Sequence, residues 1–212
     1  ACEESGSSDL PASIEHLSDR IGTPDLVVCL DSGCGNYDQL WLTTSLRGIA
    51  AGNLTGRGRS EGVQSGEASG IVPSSFRMLR MLLSRIEDEA SGTLQLAECF
   101  AEIPADRKAQ ARATAAILGD EVFTKMPFAG ATKPMGTTPE DLILNRTWRP
   151  QLAVIGMDGY PLPENAVKGL VPETGAKLSL RTPPTCDAEG AVETLKRVLE
   201  ADPPYCAEVS FE

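Results

Sequence analysis

Three carboxylates and one guanidinium are the side chains whose type and placement point to chemistry: Glu3, Glu4, Asp31 and Arg181. Glu3 and Glu4 are adjacent, and Asp31 follows the apolar residues of the run "PDLVVCLDSG". Adjacent acids are common on a solvated surface. The same pair also suits metal-assisted hydrolysis, in which one carboxylate holds a cation and its neighbour takes a proton from the attacking water. Asp31 adds weight to that second reading, because neighbouring strands of an α/β unit end side by side and Glu4 and Asp31 can then share a site. Arg181, in "KLSLRTPPT", stands where a strand runs out into Pro183-Pro184. A guanidinium there either sits in a surface ion pair or offers a fork to a substrate carboxylate.

Between a strand-like and a helical stretch lies "GRGRSEGVQSGEASG", residues 56–70. It contains no GxxxxGK[ST], and its GxG lacks both the dinucleotide-binding spacing and a downstream acidic partner for a ribose, so it is not a phosphate loop. By composition it is a flexible turn before a helix. The six cysteines, Cys2, Cys29, Cys34, Cys99, Cys186 and Cys206, show no CxxC spacing, and His16 is the only histidine. A local thiolate and imidazole zinc site is therefore discounted, and reduced thiols in a cytoplasmic protein are expected.

The elements that must position these residues follow from composition and pattern. A 212-residue chain with 41% hydrophobic content can bury a core, and its net charge of −11 with a pI near 4.6 argues against nucleic acid or an anionic membrane as partner. No signal-like apolar segment is present, and the start "ACEESGSSDL" is expected to come from inside a longer protein.

Ser8 or Asp9 caps an expected helix with Pro11 in its first turn and Ile14, Leu17 and Ile21 on one face, stopped by Gly22. Residues 24–33 have the continuous apolar texture of a buried parallel strand. Residues 40–56 alternate like an antiparallel strand or hairpin. The clearest helix is expected over 73–92, with Pro73 near its start, Phe76, Leu79, Met81, Leu82, Leu83 and Ile86 as its apolar residues, and Met78 and Met81 in the core. Residues 93–150 look like an insertion with one helix near 104–121. Strands are expected at 150–159, 175–184 and 205–212, with a helix over 187–202 capped by Asp187. With the insertion set aside the fold class is α+β, a ferredoxin-like β-α-β-β-α-β sandwich, preceded by an α/β fragment.

Taken together, "EESG" at the start, the strand ending at Asp31, "LRGIAAGNLTG" leading into "VQSGEASG", the helix from Pro73 and "AVKGLVPETGAKLSLR" resemble the zinc aminoacylase, carnosinase and acetylornithine deacetylase family of metallopeptidases and amidohydrolases. The resemblance spans essentially the whole chain. It implies a catalytic domain with two zinc ions interrupted by a ferredoxin-like lid that forms a homodimer through an edge strand and a helix. Residues 1–38 then resemble a remnant of the catalytic domain, and 39–212 the lid with its insertion at about 93–150. By motif, Glu3 resembles the general base, Glu4 and Asp31 zinc ligands, and Arg181 the lid arginine that receives the substrate's carboxylate.

Two departures accompany the resemblance. The family's upstream His-x-Asp, its bridging aspartate and its downstream histidine have no counterpart in this sequence, and three carboxylates alone do not make a two-zinc cage. The lid motif His-Ser-Gly reads Gln64-Ser65-Gly66; an amide donates a hydrogen bond but cannot become a cation. The function expected of the full-length protein is hydrolysis of dipeptides or N-acyl amino acids, with the isolated chain inactive. The competing readings are a self-contained dimerisation or binding module, in which the acids are ordinary surface residues, and a pseudoenzyme.

Overall fold

The computed structural model describes residues 7–29 and 33–212, in two compact units that divide after Trp41. In the first, α1 (Leu10–His16) and the single turn α2 (Ser18–Ile21) flank Leu17, and Gly22 ends the pair at φ 64°, a conformation that costs glycine little. Asp9 occupies the N-cap of α1 without a side-chain cap bond. The apolar run does not form the expected strand: residues 24–29 carry no ladder, and Leu26, Val27 and Val28 are exposed. A parallel strand exists only against neighbours that take its backbone hydrogen bonds, and none pairs with this segment among the described residues.

The second unit is α+β. In chain order it contains β1 (Gly48–Arg57), β2 (Val63–Gln64), α3 (Ser65–Ala68), α4 (Ser75–Leu83), α5 (Ala105–Leu118), α6 (Glu121–Thr124), α7 (Pro139–Thr147), β3 (Gln151–Asp158), β4 (Gly169–Leu170), β5 (Glu173–Thr182), α8 (Ala188–Glu200) and β6 (Glu208–Phe211). Four strands form an antiparallel sheet in the order β3-β5-β1-β6, and β2 pairs with β4 in a separate two-stranded ladder. Of the antiparallel strand or hairpin expected over 40–56, the structure has the single antiparallel strand, β1, preceded by unpaired chain.

Side-chain alternation decides which face of the sheet is covered. On β1, Ala50 and Leu54 are buried while Ile49, Ala51 and Asn53 are exposed; on β5, Ala176, Leu178 and Leu180 are buried while Lys177 and Arg181 are exposed. The inward residues meet Leu79 and Leu82 of α4, Ala191, Leu195 and Leu199 of α8, and Phe211 of β6 in one apolar cluster. Each fully buried leucine contributes on the order of 2 kcal/mol by leaving water. Gly52 makes room in this layer, since a Cβ there would lie 2.5 Å from Cζ of Phe211.

Helix α4 is shorter than its apolar pattern implies. Ser74 caps it, its Oγ accepting from the Arg77 amide at 3.1 Å, so Pro73 lies just ahead of the cap and not in the first helical position. Met78 is fully buried, but Met81 is 43% exposed and is not a core residue, because the core-facing stripe runs through Met78, Leu79, Leu82 and Ile86. Asp187 caps α8 as expected, accepting from the Glu189 amide at 3.1 Å. The segment 93–150 carries more helix than its pattern implied: besides α5 and α6 it contains α7, which starts at Pro139 behind a Thr138 cap and packs against α5.

Candidate functional site

Of the residues singled out from the sequence, Glu3, Glu4 and Asp31 lie outside the described residues. Gln64 and Arg181 are described, and the structure does not bring them together. Arg181 pairs with Ile49 near the start of β1, whereas the far end of the same ladder pairs Arg57 with Glu173. Gln64 lies beyond that far end, opposite Gly169. From Ile49 to Arg57 the strand advances eight residues, which at about 3.3 Å each is roughly 26 Å.

Gln64 is the last residue of β2 and the N-cap of α3. Its Oε1 accepts from the Glu67 amide at 2.9 Å. A backbone N–H requires an acceptor, so the oxygen must face Glu67, and the Nε2 group remains as a pure donor on an exposed side chain. The neighbouring glycine matters here: a Cβ on Gly66 would lie 2.9 Å from Oε1 and 3.2 Å from Nε2 and would displace the folded-back amide. Ser65 anchors the turn from the other side, its amide donating to the Lys168 carbonyl at 3.0 Å.

Arg181 stands on the uncovered face of the sheet, between Ile49 of β1 and Gln151 of β3. Two further guanidiniums were not picked out from the sequence. Arg47 precedes β1 and is half-buried; Arg146 lies in the last turn of α7, whose chain then leads into β3. Burial, and then the positive charges of Arg181 and Arg146, lower the pKa of Arg47 from its ordinary value. Among the described residues no carboxylate pairs with any of the three. Nearby arginines behave differently: Arg149 donates to Asp141 at 3.2 Å and to Asn145 at 2.9 Å, and Arg112 faces Glu140 at 3.5 Å.

Among the described residues there is no group of three or more His, Cys, Asp and Glu side chains able to hold a metal ion, and His16 is exposed on α1. Cys29, Cys34, Cys99, Cys186 and Cys206 are free. Burial, with smaller contributions from Cys186 and Glu98, pushes the Cys99 thiol up to about 11, which holds it in the neutral, weakly ligating form. No described helix is long and apolar enough to cross a membrane.

No protein-family model matches the sequence, and no curated protein matches it. Solved structures share its fold at low identity. Human carnosine dipeptidase 1 superposes with a TM-score of 0.71 at 18% identity, over 99% of this chain and 45% of that protein. An M20 family metallo-carboxypeptidase from Sulfolobus solfataricus gives 0.66 at 16%, over 99% of this chain and 47% of its own. The di-peptidase Dug1p of Saccharomyces cerevisiae gives 0.61 at 20%, over 79% of this chain and 35% of its own. The chain thus spans less than half the length of each of these proteins.

Proposed function

We propose that this chain is the lid and dimerisation part, with residues 1–38 a short piece of the catalytic domain, of a cytoplasmic zinc metallohydrolase that cleaves the amide bond of a dipeptide or an N-acyl amino acid. The reading is supported by the shared fold with two dipeptidases and a metallo-carboxypeptidase. The sheet order, with α4 between β1 and β3 and α8 between β5 and β6, supports a ferredoxin-like lid. The observation that carries the proposal is the separation of Gln64 from Arg181 at opposite ends of β1. Two polar groups so far apart cannot hold one small substrate, but in a homodimer Arg181 can serve its own subunit's active site while Gln64 serves the partner subunit's.

In this mechanism Arg181 binds the carboxylate of the substrate's C-terminal residue through paired N–H donors and so sets the register of the scissile amide. Gln64, its oxygen engaged by the cap, donates from Nε2 to the carbonyl oxygen as negative charge develops there. Glu3 accepts the proton of the attacking water and passes it to the leaving amine. Glu4 and Asp31 would hold zinc, together with ligands from the rest of the catalytic domain. Zinc, when bound, lowers the pKa of the attacking water and polarises the carbonyl.

The test is hydrolysis of dipeptides and N-acyl amino acids by the full-length protein, with and without chelator, beside residues 1–212 given excess zinc. Activity of the full-length protein that chelation abolishes, and none from the isolated chain, is the expected outcome. A full-length protein that neither binds zinc nor hydrolyses any of these substrates would sink the proposal in favour of a pseudoenzyme.

A further inference from the structure

The β2-α3-β4 unit that carries Gln64 is too small to hold itself in place. Its ladder has two residue pairs, Val63 with Leu170 and Gln64 with Gly169, and α3 is a single turn. Elements of that size are marginal without support from outside. The chain enters the unit after β1, returns through Pro73 ahead of α4, and passes from β4 through Val171 into β5. The half-buried Arg59 lies where these crossings meet. Its Nη1 donates to the Pro73 carbonyl at 2.8 Å and its Nη2 to the Val171 carbonyl at 2.7 Å. Its own carbonyl accepts from Nε of Arg57 at 3.2 Å. Beside it the Gly58 amide donates to the Pro172 carbonyl at 3.1 Å, and Ser75 Oγ adds a second donor to the Val171 carbonyl at 3.2 Å. Among the described residues no carboxylate pairs with Arg59, although the chain has 30 acidic and 19 basic residues. Its Nε is buried without a partner among them. A buried donor left unpaired is unfavourable, and here it accompanies a fork that joins two carbonyls from distant parts of the chain.

From this geometry we infer that Arg59 is a positioning residue for amide hydrolysis: by clamping the Pro73 and Val171 carbonyls it fixes the β2-α3-β4 unit and so aims the Nε2 donor of Gln64. The inference rests on the amide-hydrolase reading above and on Gln64 as its donor. Arg59 acts through Gln64. The Gln64 amide is already oriented within the unit by its bond to the Glu67 amide, and Ser65 ties α3 to Lys168. These bonds hold Gln64 to the unit but not the unit to the sheet, and Arg59 supplies that second attachment. A donor to a developing negative charge is effective only when its position is set before the reaction begins.

The experiment measures kcat and KM of the full-length protein, for the fastest dipeptide or N-acyl amino acid of those tested above, in Arg59→Met, Gln64→Glu and the double variant. Arg59→Met should lower kcat by roughly tenfold to a hundredfold and leave KM within about twofold, because Arg181, which anchors the substrate, lies at the other end of β1. In the Gln64→Glu background the same substitution should change kcat by less than about twofold, since the donor it positions is already gone. Effects that multiply in the double variant overturn the inference, because they assign Arg59 a merely structural role, and so does an unchanged kcat in Arg59→Met. Arg59→Lys, which keeps the charge but not the planar fork, should recover part of kcat, and it carries the test if the Met variant does not fold. Hydrogen exchange on the same full-length variants reads the clamp without catalysis. Amides of residues 63–72 should exchange about tenfold faster or more in Arg59→Met, with those of β1 and β5 unchanged. Unchanged exchange at 63–72 overturns the inference even in an inactive protein, whereas an inactive wild type in which Arg59→Met does loosen 63–72 removes the amide-hydrolase reading and leaves the clamp standing.

Discussion

At the scale of single residues, Gln64 has one observed role, as a helix cap, and one proposed role, as a donor to substrate, and substitution can separate them. Its oxygen caps α3 and its amino group is left to donate. Gln64→Glu retains an acceptor for the Glu67 amide but loses the donor, so stability should hold while kcat of the full-length enzyme falls roughly a hundredfold to a thousandfold. Gln64→Ala loses both and should in addition cost about 1 kcal/mol of stability. Denaturation curves and steady-state kinetics on the two variants check this, and equal kcat for wild type and Gln64→Glu would remove the amide from the mechanism. Gln64 was singled out in the sequence by the resemblance of Gln64-Ser65-Gly66 to the lid motif His-Ser-Gly. Arg47 and Arg146 were not, because 98 residues of chain lie between them and only the folded chain brings the charge of Arg146 to bear on Arg47.

At the scale of elements, the joint between α8 and β6 depends on one carboxylate. Glu200 accepts from Lys196 at 2.9 Å and from the Phe211 amide at 2.8 Å, and these two bonds, Lys196 first, hold its pKa below the ordinary carboxylate value. A depressed pKa stabilises the fold in full above the unfolded value, about 4.3, and that stabilisation is lost as pH falls through the folded value. Glu200→Gln should therefore be less stable than wild type by about 1 kcal/mol near pH 7, with the gap closing below about pH 4. Denaturant titrations at the two pH values measure it, and a gap independent of pH would assign the loss to something other than the charge. Helix α8 itself was legible, since Asp187 caps it and Ala191, Leu195 and Leu199 recur every four residues along one face. Helix α7 was obscured by the Gly, Pro and Thr residues before it, although Thr138, Pro139 and two acids form an ordinary helix start.

At the scale of the whole molecule, β3 is an edge strand whose Val154, Ile155 and Met157 are exposed, the last two by about 60%. An unpaired apolar edge is a template for pairing with another chain. The proposed homodimer uses this edge, so Ile155→Lys should shift the full-length protein from dimer to monomer in sedimentation and should lower activity if Gln64 works across the interface. A wild-type protein that remains monomeric at high concentration would count against the arrangement. The same scale explains residues 24–29, whose apolar sequence has the composition of a buried strand but has no ladder among the described residues.

The sequence by itself determined the periodicities: alternation on β1 and β5, the apolar stripes of α4 and α8, and the cap at Asp187, all local consequences of backbone geometry and side-chain type. Only the tertiary structure decided which side chains from distant segments meet. It brought the charges of Arg181 and Arg146 to bear on Arg47 and set Gln64 beyond the opposite end of β1 from Arg181, because strand register and the placement of α7 arise from long-range pairing and packing.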